Sequence, residues 1–349
     1  MFKKFVCIFL CASFLLLAAC AGIVYAVDPF SHYRADKDKT KIIYQDPYYQ
    51  NIGIAKYTQY DTLITGSSMV QNFRANRFDE AFGCDAVRLA FDGGYLPDFV
   101  SLLRTATTYQ KDLKTVYFGL DNYLITAETA LADTGAKIPA YLTDDNPFTD
   151  VAYLWNRDVL FNKIRVYFAY KRSPEYDFYE MHAWGAEARD PAVFGREIVL
   201  RTYTPQKQAE PLPRDAFLTK ADETTKALCA CIQQNPQVQF VFFAPPYSIV
   251  YWVKQQESGS LDATLEALRQ VYTDLLQFKN VRLFFFQDEE ERITDLDNYK
   301  DFSHYCADYN RWMLDCFVSG EKELPADGVD EALAHMRRVV TEYDADTLL

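Results

Sequence analysis

The sequence predicts a three-layer α/β/α domain: a doubly wound, parallel sheet of five strands with an aromatic-rich, mainly helical insertion and an N-terminal transmembrane segment. Three observations lead there. Five short apolar runs recur along the chain, amphipathic helical patterns alternate with them, and an uncharged stretch near the N-terminus is long enough to cross a bilayer. At 349 residues the chain suits one large α/β domain with an elaboration.

The N-terminal stretch comes first. Lys3 and Lys4 precede an uncharged run from Phe5 to Val27, which as a helix spans about 34 Å, enough for a bilayer core. Three readings stay open. Leu17-Ala18-Ala19-Cys20 has the form of a lipoprotein cleavage box, and Val24-Tyr25-Ala26 offers small residues for secretory cleavage. The run also continues past Cys20, which favours an uncleaved signal anchor. Arg34, Lys37, Lys39 and Lys41 follow the segment, so flanking charge alone does not place the N-terminus inside. Large C-terminal domains translocate largely regardless of such charges, and an outward-facing domain on a single span is expected. The division is then residues 1–27 as anchor, 28–60 as lead-in stalk, and 61–349 as the α/β domain, with an insertion at about 123–214.

The apolar runs are 62–65 (TLIT), 86–91 (AVRLAF), 115–120 (TVYFGL), 239–244 (QFVFFA) and 281–286 (VRLFFF). Each is continuously apolar and rich in β-branched or aromatic residues, as strands covered on both faces are. Helical periodicity marks Asp98–Asp112, Ala216–Gln234, Leu261–Phe278, Asp301–Val318 and Asp330–Tyr343. The interval from Asp121 to about Arg214 breaks this rhythm. Twelve aromatics fall between Tyr141 and Trp184, either as the core of a helical subdomain or as a cap whose rings meet sugars or a membrane surface.

Composition excludes some functions. A net charge of −13 argues against a nucleic-acid partner, which needs clustered Lys and Arg. Cys84, Cys229, Cys231, Cys306 and Cys316 show no metal-ligand spacing and read as buried thiols. The acidic run Asp288–Glu291 reads as a solvated loop or helix start. No metal or cofactor is expected.

Ligands of doubly wound sheets bind outside the carboxyl ends of the strands. Four loops at those ends are Gly66-Ser67-Ser68, Asp92-Gly93-Gly94-Tyr95, Gly119-Leu120-Asp121-Asn122 and Pro245-Pro246-Tyr247-Ser248. A fifth stretch, Asn298–Tyr305, contains Asp301-Phe302-Ser303-His304. Of the four histidines, only His304 has a carboxylate three residues before it in the sequence. An aspartate so placed can accept the Nδ1–H of the imidazole and leave Nε2 to take a hydroxyl proton.

Serine after the first strand, glycine after the second, a Gly-x-Asn/Asp block after the third and Asp-x-x-His near the C-terminus resemble the SGNH (GDSL-like) hydrolase superfamily, whose sheet is flavodoxin-like. The N-terminal membrane segment, Gly-Ser-Ser in place of Gly-Asp-Ser, and Asn-Tyr-x-Asp-x-x-His-Tyr are similar to its bacterial cell-surface branch. That branch includes membrane-anchored proteins of teichoic-acid D-alanylation and exopolysaccharide O-acetylation. The resemblance covers about 61–122 and 236–314, outside the aromatic insertion.

It implies Ser68 as nucleophile, with Ser67 in place of the usual aspartate, His304 as general base and Asp301 as its orienting carboxylate. Oxyanion donors would be the backbone at Ser68 and at Gly93 or Gly94. Block three departs from the pattern, because Asp121 stands where the family has asparagine and Asn122 comes one residue later. An ionised carboxylate facing a developing oxyanion would repel it. Either Asp121 points away, or Asn122 substitutes through a shifted loop, or the site is slow or inactive. Tyr247 is a candidate pocket residue, as are Ser67 and Asp121.

The implied function is an extracytoplasmic serine esterase or O-acyltransferase acting on O-acyl groups of cell-envelope polysaccharide or teichoic acid. Its expected partner is an envelope glycan or an acyl-carrying partner such as a membrane-bound O-acyltransferase, with the membrane itself engaged through the N-terminal segment. Two rival expectations stand beside it: a catalytically inactive scaffold of the same fold that binds glycan or partners, and a structural envelope protein whose aromatic insertion mediates assembly.

Overall fold

The structure is a computed structural model and describes residues 2–126, 135–144, 146–184 and 190–348. It divides into two compact units, one of residues 1–59 and 136–181, the other of 60–135 and 182–349.

The larger unit holds the sheet. Its strands are β1 (Thr62–Gly66), β2 (Ala86–Ala90), β3 (Thr115–Gly119), β4 (Gln239–Ala244) and β5 (Val281–Phe285). All pair in parallel, in the order β2-β1-β3-β4-β5. The apolar runs therefore mark the strands, because both faces are covered. Successive side chains point to opposite faces, and the rings show it. Tyr117 of β3 meets Phe78, and Phe243 of β4 and Phe284 of β5 meet Phe317, with centroids 4.9, 5.3 and 5.0 Å apart. On the other face Phe118 meets Phe99 at 5.3 Å and Phe285 meets Tyr272 at 6.0 Å. Phe78 and Phe317 belong to helices Ala75–Phe82 and Ala307–Ser319, Phe99 and Tyr272 to Leu96–Tyr109 and Leu261–Leu275. Helices thus cover both sides. The order places the reversal between β1 and β3, whose carboxyl ends open the crevice where such sheets bind ligands.

One helix boundary and one additional helix differ from expectation. The last-but-one helix starts at Ala307 rather than Asp301. Asp301 accepts the backbone N–H groups of Ser303 and His304, both at 2.8 Å, and Tyr299 bridges Tyr305; these bonds close a loop instead of a helical turn. A helix at Ile249–Glu257, preceded by Ser248, follows the proline-marked turn.

The smaller unit contains the N-terminal helix Phe2–Val27, long and apolar enough to cross a membrane. The lead-in does not run as a bare stalk: helix Pro47–Tyr57 lies within it, and residues 50–55 are buried. Of the aromatic-rich stretch, residues 136–181 join this unit, whereas Trp184 belongs to the larger one. A small core of Val24, Phe30, Tyr153 and Val159 ties the end of the apolar helix to helix Val151–Leu154 and to the start of the helical stretch 159–172. Asp28 sits beside that core. Its carboxylate accepts the N–H groups of His32, Tyr33 and Arg34 and the Tyr153 hydroxyl, at 2.9 to 3.0 Å.

Candidate active site

The Ser68 turn is held by packing. Gly66 ends β1 at φ 147°, where a side chain is strained, and a Cβ there would lie 2.7 Å from Val70 Cγ1. A Cβ on Gly119, ending β3, would meet the same methyl at 2.6 Å. The two glycines let Val70 sit on the sheet, and the chain between Gly66 and Val70 must turn sharply. It does so as a 3₁₀ turn, Ser68–Val70, capped by Ser67, whose buried hydroxyl accepts the Met69 N–H at 3.2 Å. Ser68 opens that turn, half-buried. The first amides of a helix have no acceptor within it, so the Ser68 N–H is a candidate oxyanion donor.

The His304 loop is tied both to this turn and to the proline-marked loop Pro245–Ser248. The Tyr305 hydroxyl donates to Met69 O at 2.9 Å, Tyr299 to Pro246 O at 2.9 Å, and Ser248 to Phe302 O at 2.8 Å. With both loops fixed, Ser68 Oγ lies 2.8 Å from His304 Nε2. On the other side of the ring Nδ1 lies 2.8 and 3.0 Å from the two Asp301 oxygens. Burial raises the Asp301 pKa, but the His304 imidazole and the two backbone N–H groups outweigh it and hold the carboxyl below its usual value. An ionised carboxylate only accepts, so Nδ1 carries the proton and Nε2 accepts from the serine hydroxyl. Ser68, His304 and Asp301 form one connected chain of hydrogen bonds.

Asp121 is fully buried and does not line the open rim. Oδ1 accepts the Tyr247 hydroxyl at 2.7 Å, while buried Oδ2 makes no well-formed hydrogen bond. Burial pushes its pKa up to about 6, against the lowering pull of Tyr247, Ser67 and His304. Of the alternatives for this residue, the inward-turned one fits. Tyr247 is likewise buried, stacked on Tyr251 at 4.5 Å; it supports Asp121 rather than facing solvent.

Two expected oxyanion donors are otherwise engaged. The Gly94 N–H donates to Phe91 O at 3.1 Å in a tight turn, whose close packing against Phe99 leaves no room for a Cβ. Asn122 is buried; its amide nitrogen reaches the Tyr251 hydroxyl at 3.4 Å and its oxygen accepts from Gln287 at 2.9 Å. Gly93 holds the left-handed conformation of that turn at φ 53°.

Trp184 was not singled out by sequence reasoning. Its indole N–H donates to Ser68 O at 2.8 Å, its backbone N–H to Asn72 Oδ1 at 3.1 Å, and its ring stands edge-on to His304 at 5.2 Å. The Lys300 ammonium lies 3.8 Å from the indole centroid. A tryptophan in an aromatic stretch carried no signal of this role, since Ser68 is 116 positions away. Among the described residues no group of His, Cys, Asp or Glu is arranged to hold a metal ion.

No family model matches the chain, and no curated protein does. A solved structure from Streptococcus pneumonia, provisionally described as a platelet activating factor, superposes with a TM-score of 0.40 at 9% identity, over 78% of this chain and 91% of that one. A likeness at that level carries nothing about activity, and the site's own geometry bears the reading that follows.

Proposed function

We propose that the protein is a membrane-anchored, extracytoplasmic serine esterase or O-acyltransferase of the SGNH type. Its substrate would be an ester-linked acyl group, such as O-acetyl, on a cell-envelope polysaccharide or teichoic acid. The observation that carries the reading is the unbroken Ser68–His304–Asp301 chain at the carboxyl end of a parallel sheet, beside its switch point.

In the reaction Ser68 Oγ attacks the ester carbonyl and its proton passes to His304 Nε2. Asp301 keeps the imidazole in the right tautomer and stabilises the imidazolium. The tetrahedral oxyanion draws on the Ser68 N–H at the start of the 3₁₀ turn. As the intermediate collapses, His304 returns the proton to the departing sugar oxygen, leaving an acyl-Ser68. Water or a second sugar hydroxyl then attacks the acyl carbon, with His304 as base, and frees the serine. Hydrolysis and transfer differ only in that last acceptor, and an expected partner membrane-bound O-acyltransferase would deliver the acyl group in the transfer case.

The engagement of the Gly94 amide and of Asn122 favours one rival, an inactive scaffold of the same shape. A fluorophosphonate probe separates them. Labelling of the full chain that disappears in Ser68→Ala and His304→Ala supports the enzyme; a folded protein that takes no label, yet binds envelope glycan, supports the scaffold.

A further inference from the structure

We propose that residues 148–172 form a second membrane-seated element, lying at the headgroup–acyl boundary of the bilayer crossed by the N-terminal helix, with its apolar face sunk into the acyl layer. The inference rests on reading that helix as an anchor. All the residues concerned belong to the smaller unit.

The first support is depth. The Trp155 indole N–H donates to Leu17 O at 2.9 Å, within the apolar helix rather than at its end. If Lys3 and Lys4 mark one interface, about 20 residues of helix cross the hydrocarbon, which ends near Val24. Leu17 then lies about 10 Å inside the far boundary. Amphipathic helices rest about 5–10 Å deep, with tryptophan at the interface.

The second support is the exposed face. Phe148 is 86% exposed, Phe161 66%, Trp155 51% and Val151 43%. Around them Tyr153 and Val159 turn inward onto Val24 and Phe30. The segment is thus apolar on two sides: Tyr153 and Val159 pack against the end of the anchor helix, and exposed Trp155 lies beside Leu17, itself 48% exposed on that helix. Continuity with a surface that must meet lipid identifies the occupant as the bilayer.

Charge supplies the third. Between Val151 and Arg172 stand five Lys or Arg against one Asp, in a chain whose net charge is −13. Arg157, Arg165, Lys171 and Arg172 are exposed, as an anionic headgroup layer would select. Arg34 reinforces the junction by donating to Tyr25 O and Ala26 O at 2.7 and 2.6 Å, closing the end of the apolar helix. Cleavage at Ala26 would dismantle this packing, so the arrangement belongs to the uncut chain.

The test uses the full chain in nanodiscs of phosphatidylglycerol and phosphatidylcholine, with acyl chains brominated near their headgroup end, after a carbonate wash of the source membranes. Trp184, Trp252 and Trp312 lie in the other unit, and Trp252 is buried. Bromolipid is expected to quench tryptophan emission of the wild-type protein, with most of the quenching lost in Trp155→Phe and in Phe148→Asp/Phe161→Asp. Equal quenching of wild type and Trp155→Phe, or quenching of neither in protein that survived the wash, overturns the inference. Protein washed out by carbonate overturns the anchor reading itself. Circular dichroism of each variant confirms that the fold is kept.

Discussion

Asp28 and Asp121 are both buried carboxylates, one in each unit, and they are treated oppositely. Three backbone N–H groups and the Tyr153 hydroxyl surround Asp28. Asp121 has one well-formed hydrogen bond, from Tyr247, and an oxygen left without one. Burial raises both pKa values, with the surrounding donors lowering them. Donors around Asp28 make a structural knot where the chain leaves the apolar helix. The undersupplied Asp121, whose pKa the nearby His304 also pulls down, lies beside the proposed catalytic chain, where an incompletely satisfied carboxylate is expected.

The sharpest break in this comparison comes from a third carboxylate. Asp301 is ionised and solvent-accessible, with His304 as its partner. Asp301→Asn is expected to leave thermal unfolding nearly unchanged while lowering the acylation rate by about 10³–10⁴-fold, since the wrong tautomer then faces Ser68. Stopped-flow hydrolysis of an aryl acetate measures it.

Asp28→Ala comes next and works the other way. It strands several buried donors and is expected to cost about 3 kcal/mol or more of stability, read by chemical denaturation in detergent, with fluorophosphonate labelling per folded molecule unchanged.

Asp121→Asn has a pH-dependent sign. The folded-state pKa of about 6 lies above the ordinary 3.8, so the folded protein binds the extra proton and stability is lost as pH rises from one value to the other. Two units correspond to about 3 kcal/mol. The asparagine variant should match wild type at about pH 4 and exceed it by up to about 3 kcal/mol at about pH 8. Denaturation curves at both pH values that shift equally would count against a buried, charge-averse Asp121.

The smallest effect is expected at Trp184. Trp184→Phe keeps a ring beside His304 and Lys300 but removes the N–H bonded to Ser68 O. About 1 kcal/mol follows, seen as a roughly five- to tenfold slower acylation with little change in unfolding temperature.

Much of this was legible in the sequence where local rules act alone. The five strands fall within a residue of their apolar runs, because a strand covered on both faces must be apolar throughout. Ser68 and Asp301-x-x-His304 were legible as residue types with a chemistry, though their meeting depends on tertiary bonds such as Tyr305 to Met69 O. The role of Trp184 was not legible, because neither periodicity nor spacing encodes a contact across 116 positions. Gly94 misled for a definite reason: glycine is needed there for packing against Phe99, and a glycine required by crowding looks the same in sequence as one that admits a substrate. The joining of 136–181 to the N-terminal 59 residues was hidden likewise, since it rests on Tyr153 and Val159 packing on Val24 and Phe30.

The most direct measurement is the mass of the Ser68 peptide after brief incubation with an acetyl ester and acid quenching. The proposed mechanism predicts an added acetyl group on Ser68, absent in His304→Ala and accumulating when the acceptor step is slow. Turnover of the ester with Ser68 unmodified at every time point, or acetyl on another residue, would contradict it.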